Sequence, residues 1–194
     1  MNMIRDIVIE SRSYRSFDET QKLGEEDLRT LIDTARLCPS AVNRQPLKYR
    51  LVFEKDEVET VVANTAWAGM LKDMTFPPEG HHPAAFIVMC CDTKICEDPN
   101  GCKVDVGIAA QTIMLQAAEA GFGGCMIGAF NPDTIGEKLR LPKKIVPVLI
   151  LALGVPDETV FICNVDANGN TMYFRDKANL HFVPKRALDD IIVE

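Results

Sequence analysis

Residues 84–92, AAFIVMCCD, are apolar without interruption until Asp92, with Pro83 in front. A run of that length bounded by a proline and an acid suits a strand covered on both faces. A chain with such a strand must supply a layer on each side of a sheet. Further along, residues 105–121 (DVGIAAQTIMLQAAEAG) have a helical pattern, with Asp105 near the start and Gly121 where a C-terminal stop belongs. Apolar side chains cover most of its circumference. That helix must be covered on several sides, by its own sheet and by a second subunit.

The remaining elements alternate. Residues 3–10 read as a short helix, and in EEDLRTLIDTARLC the residues Leu28, Leu31, Ile32 and Ala35 share one helical face, with acids in the first turn to suit the helix dipole. KYRLVF (48–53) reads as a strand and KDEVETVVANTA as a helix. GGCMIGAF (123–130) is a short strand ending in a loop, PDTIGEKLRL a helix with Pro132 near its first position, and IVPVLILALGVP (145–156) a strand closed by Gly154 and Pro156. TMYFRD and HFVPKRALDD complete the chain without an assigned element. The expected class is α+β, with helices on both sides of a mostly antiparallel sheet and a single domain spanning residues 1–194.

Charge and composition exclude several classes. At 47% apolar and 25% charged the chain is an ordinary globular one, and its formal net charge of −7 argues against general nucleic-acid or membrane-surface binding. Val106–Ala118 is too short for a membrane span and contains Gln111 and Gln116. No signal-peptide pattern opens the sequence, so a cytoplasmic protein is expected. The seven cysteines are an odd set, expected to remain reduced, and Cys91, Cys96 and Cys102 match no zinc or iron–sulfur spacing. They read as buried thiols rather than ligands. His81 and His82 read as loop residues, so no metal is expected.

Against this acidic background ESRSYRSFDE (10–19) stands out. Arg12, Ser13 and Arg15 offer two planar donor forks and a hydroxyl, a set suited to a phosphate monoester, and Lys185 with Arg186 forms a second basic pair near the other end. If both ends meet, four cations surround one dianion; otherwise these are solvated surface charges. PSAVNRQP carries Ser40, Asn43, Arg44 and Gln45 on a segment that its prolines are expected to keep extended. Such groups can read the edge of a planar heterocycle or form an ordinary turn. GGCMIG allows close approach to a flat ring, or makes a tight strand-to-helix connection. No dinucleotide fingerprint, P-loop or nucleophile elbow is present.

Taken in order, RSYR with its following Phe, PSAVNRQP, DVGIAAQTIMLQAAEAGFGGCMIGAF, LALGVP and VPKR resemble the FMN-dependent nitroreductase family, over nearly the whole chain and closest to its short members. The resemblance implies a nitroreductase-like fold with FMN at a homodimer interface. Arg12, Ser13 and Arg15 would hold the FMN phosphate and nearby ribityl oxygens, with Lys185 and Arg186 closing over it. Pro39, Ser40, Ala41 and Asn43 would reach the flavin from the partner subunit. Ile127 and Gly128 would pass beside the flavin N5, with Gln45 near the pocket. Lys72 is a candidate for the basic group expected near the flavin N1/C2 carbonyl. Substrate-facing residues would lie around Trp67–Pro83.

The implied activity is an NAD(P)H-dependent FMN oxidoreductase. Hydride would pass from the nicotinamide to the flavin, and then to a small electron-poor acceptor such as a nitroaromatic or quinone, by ping-pong kinetics. One alternative is a flavin-binding or redox-sensing protein of low turnover that uses Cys125. A weaker one is a thiol–metal protein built on Cys90, Cys91, Cys96 and Cys102.

Overall fold

A computed structural model of the chain describes residues 3–71 and 73–193. Lys72 lies outside the described residues. Five helices and seven strands follow in the order α1 (Met3–Glu10), α2 (Glu25–Ala35), β1 (Leu47–Val52), α3 (Lys55–Ala63), β2 (Ala85–Asp92), α4 (Lys103–Glu119), β3 (Gly123–Ile127), α5 (Pro132–Lys138), β4 (Ile145–Gly154), β5 (Val160–Asn164), β6 (Phe174–Arg175) and β7 (His181–Lys185). The main sheet has the order β1-β2-β4-β3, and every neighbouring pair is antiparallel.

The apolar run 84–92 supplies β2, a central strand that is buried on both faces. Its alternate side chains go to opposite layers. Ala85, Ile87, Met89 and Cys91 face Leu28, Leu31 and Ala35 of α2 and Val106, Ala110 and Ile113 of α4. Phe86, Val88 and Cys90 face Val58 and Val61 of α3, Ile135 of α5, and Phe17. The helices thus lie on both sides of an antiparallel sheet, as the alternation requires. Pro147 sits inside β4 where the register shifts: Met89 pairs with Leu149 and Cys90 with Pro147, which leaves Val148 unpaired. A bulge is a place where a strand tolerates the missing N–H of proline.

Helix α4 begins two residues before the expected Asp105 and ends at Glu119, and Gly121 follows with φ +82°. Val106, Ala109, Ala110, Ile113, Met114 and Ala117 are buried, while Val104 and Gln111 are exposed. Ile4 and Val8 of α1 are exposed as well. Within one chain the helix is therefore covered on one side.

Two expectations need correction. The segment after Cys38 is not extended: residues Ala41–Asn43 form a single 3-10 turn, and Val42, Asn43 and Gln45 have φ values of 55°, 54° and 52°. A left-handed β-branched residue is costly, so other contacts must hold this turn. Second, TMYFRD and HFVPKRALDD supply β6 and β7, which join β5 in a small separate sheet of order β5-β7-β6, in which β5 and β7 run parallel. Phe161 and Phe174 stack on either side of Phe182 along it, with centroids 5.4 and 5.2 Å apart.

Candidate functional site: a cationic cavity

Residues 11–18 leave α1 and run across the sheet. Tyr14 N–H donates to the Gly124 carbonyl at 2.9 Å, Phe17 N–H to His81 at 3.1 Å and Asp18 N–H to Val155 at 2.9 Å. Phe17, with no exposed surface, pins the segment into the core. The approach is possible because positions 123 and 124 are glycine: a Cβ on Gly123 would lie 2.5 Å from the Tyr14 ring and from Pro156, and one on Gly124 would lie 2.1 Å from the Ala152 carbonyl oxygen. The closeness that GGCMIG permits is thus used here by the chain's own RSYR segment. Gly128 differs, with no atom within 4 Å of a Cβ placed on it.

The two ends of the chain do meet. Arg12, Ser13, Arg15 and Lys185 line one cavity of about 310 Å³, with Gln111, Met126, Tyr173 and His181 completing its wall. Arg186 is not among the lining residues; it is exposed, and its guanidinium lies toward Gly169. Arg15 is the most buried of the cations that line it, at 9% exposure. It donates to the Ser13 carbonyl at 3.1 Å, approaches His181 Nε2 at 3.5 Å, and lies 5.0 Å above the Tyr173 ring. Arg12 donates to the Val8 carbonyl, and burial lowers its pKa. Burial, then Arg15, then Arg175 push the pKa of His181 down to about 4. His181 is accordingly neutral at pH 7.

Glu158 supplies the counter-charge. It accepts the Arg15 and Ser16 backbone N–H groups and pairs with Arg175, both side chains being almost fully buried. Positive charge still exceeds negative around the cavity. Arg12 Nε, Arg15 Nε, Arg175 Nε and His181 Nδ1 are buried with no partner among the described residues. Native interiors rarely leave so many donors unmet, and an anion bound in the cavity is a direct way to satisfy those of Arg12, Arg15 and His181, which line it. His181, Tyr173, Glu158 and Arg175 carried no motif in the sequence, because two of them come from short strands of the small sheet and two from loops beside it, which give little periodic signal.

The second expected group sits elsewhere. Pro39, Ser40 and Gln45 line a separate cavity of about 190 Å³ with Cys38, Tyr49 and Asp105. Buried Asp105 accepts the Ser40 hydroxyl at 2.6 Å and the Ala41 N–H at 3.1 Å, and Ser40 Oγ accepts the Gln45 N–H at 2.9 Å. Gln45 Nε2 donates to Asn43 Oδ1 at 3.0 Å. These bonds hold the left-handed turn and leave Ala41, Val42 and Asn43 exposed. Ile127 is buried at the end of β3, with exposed Gly128 following. Within one chain, the 39–45 turn and the cationic cavity do not share a lining.

The cysteines fall in separate layers. Cys91, Cys96 and Cys102 belong to the α2/α4 side of the core, Cys90 and Cys125 to the other. Among the described residues no three His, Cys, Asp or Glu side chains are grouped to hold a metal, and no helix is long and apolar enough to cross a membrane. His81 and His82 lie in a loop, beside Asp157 at 2.7 Å and Glu59 at 3.1 Å.

Comparison with known proteins identifies the family to which this fold belongs. The nitroreductase family model matches residues 9–77 and 97–155, and the chain belongs to that family. A protein from Methanothermobacter thermautotrophicus, provisionally named an NADH dehydrogenase/NAD(P)H nitroreductase, is 28% identical over 151 residues, covering 76% of this chain and 74% of the relative. The FMN reductase [NAD(P)H] of Bacillus subtilis is 26% identical over 179 residues, covering 80% and 67%. Among solved structures, a nitroreductase family protein from Streptococcus pneumoniae superposes with a TM-score of 0.70 at 18% identity, over 98% of both chains. A provisionally named nitroreductase from Exiguobacterium sibiricum, solved in complex with FMN, gives 0.66 at 19% identity over 80% and 89%.

Proposed function

We propose that the protein is an NAD(P)H-dependent oxidoreductase that holds FMN in the cationic cavity and reduces small electron-poor acceptors such as nitroaromatics and quinones. The observation that carries this reading is the set of unmet buried donors, Arg12 Nε and Arg15 Nε, beside Ser13 and Lys185. A phosphate monoester fits that set: it brings the negative charge the cavity lacks and enough acceptor oxygens for several planar donors. Charge-assisted hydrogen bonds of this kind contribute roughly 1.5–3 kcal/mol each, enough to hold an anion against the net charge of the chain.

FMN, when bound, supplies the hydride chemistry. The residues of the chain bind and orient it: Arg12, Ser13, Arg15 and Lys185 at the phosphate, and Ile127 and Gly128 along the exit of β3, where Gly128 leaves open space for a flat ring. Arg186, one residue beyond Lys185, adds to the local positive field. The acceptor takes the place of the nicotinamide in turn, so the kinetics are ping-pong.

The protein works as a homodimer in this reading. Exposed Val104, Ile4 and Val8 on α4 and α1 form apolar surface of the kind that a second subunit covers. Pro39, Ser40, Ala41, Asn43 and Gln45 lie on a rigid, projecting turn whose exposed groups can complete the partner's flavin site. The reading of a redox sensor at Cys125 is less well supported: burial raises the pKa of that thiol, whereas a reactive cysteine needs a low one.

Absorption spectroscopy of the purified protein, FMN release on denaturation, and initial rates with NADH and NADPH test the proposal. A yellow protein with parallel double-reciprocal lines is expected. A colourless protein that does not take up FMN, or intersecting lines, contradicts it.

A further inference from the structure

Three donors converge on Glu158, a residue outside every motif that pointed to the cavity. Its Oε1 accepts the Arg15 N–H and, at 3.2 Å, the Ser16 N–H. Its Oε2 accepts from the Arg175 guanidinium, with the two side chains 4% and 5% exposed. The same guanidinium lies over the ring of Phe76, 4.8 Å from Cζ to the centroid.

A buried carboxylate beside a cavity that attracts anions opposes that attraction, and low polarity strengthens the opposition. Attraction of an anion therefore does not account for its position, but the geometry of its three donors does. One oxygen fixes two successive N–H groups of the turn that carries Arg15, so the Arg15 guanidinium enters the cavity between the Ser13 carbonyl and Tyr173 in one orientation. We infer that Glu158 is a positioning residue of the anion cavity, holding Arg15 in its binding orientation and, through Arg175, tying the Phe76 segment to the same turn. The inference rests on the flavin reading for the identity of the anion, but not for the geometry.

Two substitutions separate position from charge. Glu158→Gln removes the charge and keeps one acceptor oxygen, so its NH2 group opposes a donor that the carboxylate accepted; Glu158→Asp keeps the charge but is one methylene too short to reach all three donors. Dissociation constants for FMN and riboflavin are measured by fluorescence, inorganic phosphate binding by phosphorus NMR, and amide exchange around Phe76 by mass spectrometry, all on the full chain. Both variants are expected to weaken FMN by about tenfold, to change riboflavin by less than about twofold, to weaken phosphate, and to speed exchange around Phe76.

If Glu158 acted through charge alone, Glu158→Gln would tighten FMN and phosphate and Glu158→Asp would match the wild type. That pattern, or wild-type affinities in both variants, overturns the inference. Should Glu158→Gln not fold, Glu158→Asp decides alone: a selective loss of FMN and phosphate supports positioning, and wild-type affinity overturns it. Failure of the flavin reading is seen separately, as a wild-type protein that binds phosphate but not FMN, and the phosphate comparison then still decides. A wild-type protein that binds neither overturns both.

Discussion

His181 presents Nε2 to Nη1 of Arg15 at 3.5 Å from a position only 1% exposed. Burial and two neighbouring guanidinium groups hold its pKa at about 4, against 6.5 for the free side chain. The unfolded chain therefore binds a proton that the folded cofactor-free protein refuses between those values. Stability from this residue is fully present above about pH 6.5, declines as the pH falls, and is lost by about pH 4, a difference of about 3 kcal/mol. Denaturant unfolding of cofactor-free protein across this range should show that loss, and His181→Gln should reduce it by most of that amount. An unchanged pH slope in the variant would count against the assignment. A bound phosphate would favour the protonated imidazole, so FMN should blunt the acid sensitivity.

Arg15→Ala removes the most buried cation and one unmet Nε donor from the cavity. FMN binding should weaken by about 1.5–3 kcal/mol, or roughly ten- to a hundredfold, while riboflavin, which has no phosphate, should change little. Arg12→Ala should act in the same direction. Fluorescence titration with both flavins checks this, and equal losses for the two ligands would contradict a phosphate role. Added salt should weaken FMN only modestly, because buried charges are screened less than surface ones.

Ser40 links the 39–45 turn to the core in two ways, donating to Asp105 at 2.6 Å and accepting the Gln45 N–H at 2.9 Å. Ser40→Ala leaves both partners short. We expect a loss of about 2 kcal/mol in unfolding free energy and faster amide exchange at residues 41–45, where Val42 and Asn43 are held in left-handed conformations. Exchange as slow as in the wild type would mean that the turn is held by other contacts. If this turn completes the partner's site, FMN should also dissociate faster from the variant.

These residues mark where sequence reasoning worked and where it stopped. The layered sheet was legible because β2 and β4 are apolar over eight and ten residues, long enough for an unbroken apolar run and its proline boundaries to show. The Arg12, Ser13 and Arg15 set was legible as chemistry, since three donors in four residues are unusual in an acidic chain; of the expected pair Lys185 and Arg186, Lys185 lines the same cavity and Arg186 does not. His181, Arg175 and Tyr173 were not legible. They come from strands of five and two residues and a connecting loop, and β7 is aligned by parallel pairing with β5, whose partner residues lie 21 positions away in sequence. Glu158 resembles any acid after a strand until the fold buries it. The 39–45 turn misled for a different reason: its prolines suggest extension, whereas Asp105, more than sixty residues later, imposes the turn.

Gly124 and Gly128 give a final contrast within one short stretch. A methyl on Gly124 would stand 2.1 Å from the Ala152 carbonyl oxygen and 2.9 Å from Met114 Cε, and the former is backbone of the neighbouring strand. Gly124→Ala must therefore push β3 away from β4, at a cost of about 3 kcal/mol or more. The shift also disturbs the Tyr14 N–H bond to the Gly124 carbonyl, which holds the Arg12–Arg15 segment in place. FMN affinity should fall along with stability. A methyl on Gly128 meets nothing within 4 Å, so Gly128→Ala should unfold within about 0.5 kcal/mol of the wild type. Paired urea melts with FMN titrations check both, and a Gly124→Ala protein that keeps wild-type stability would show that the RSYR segment does not depend on this close approach.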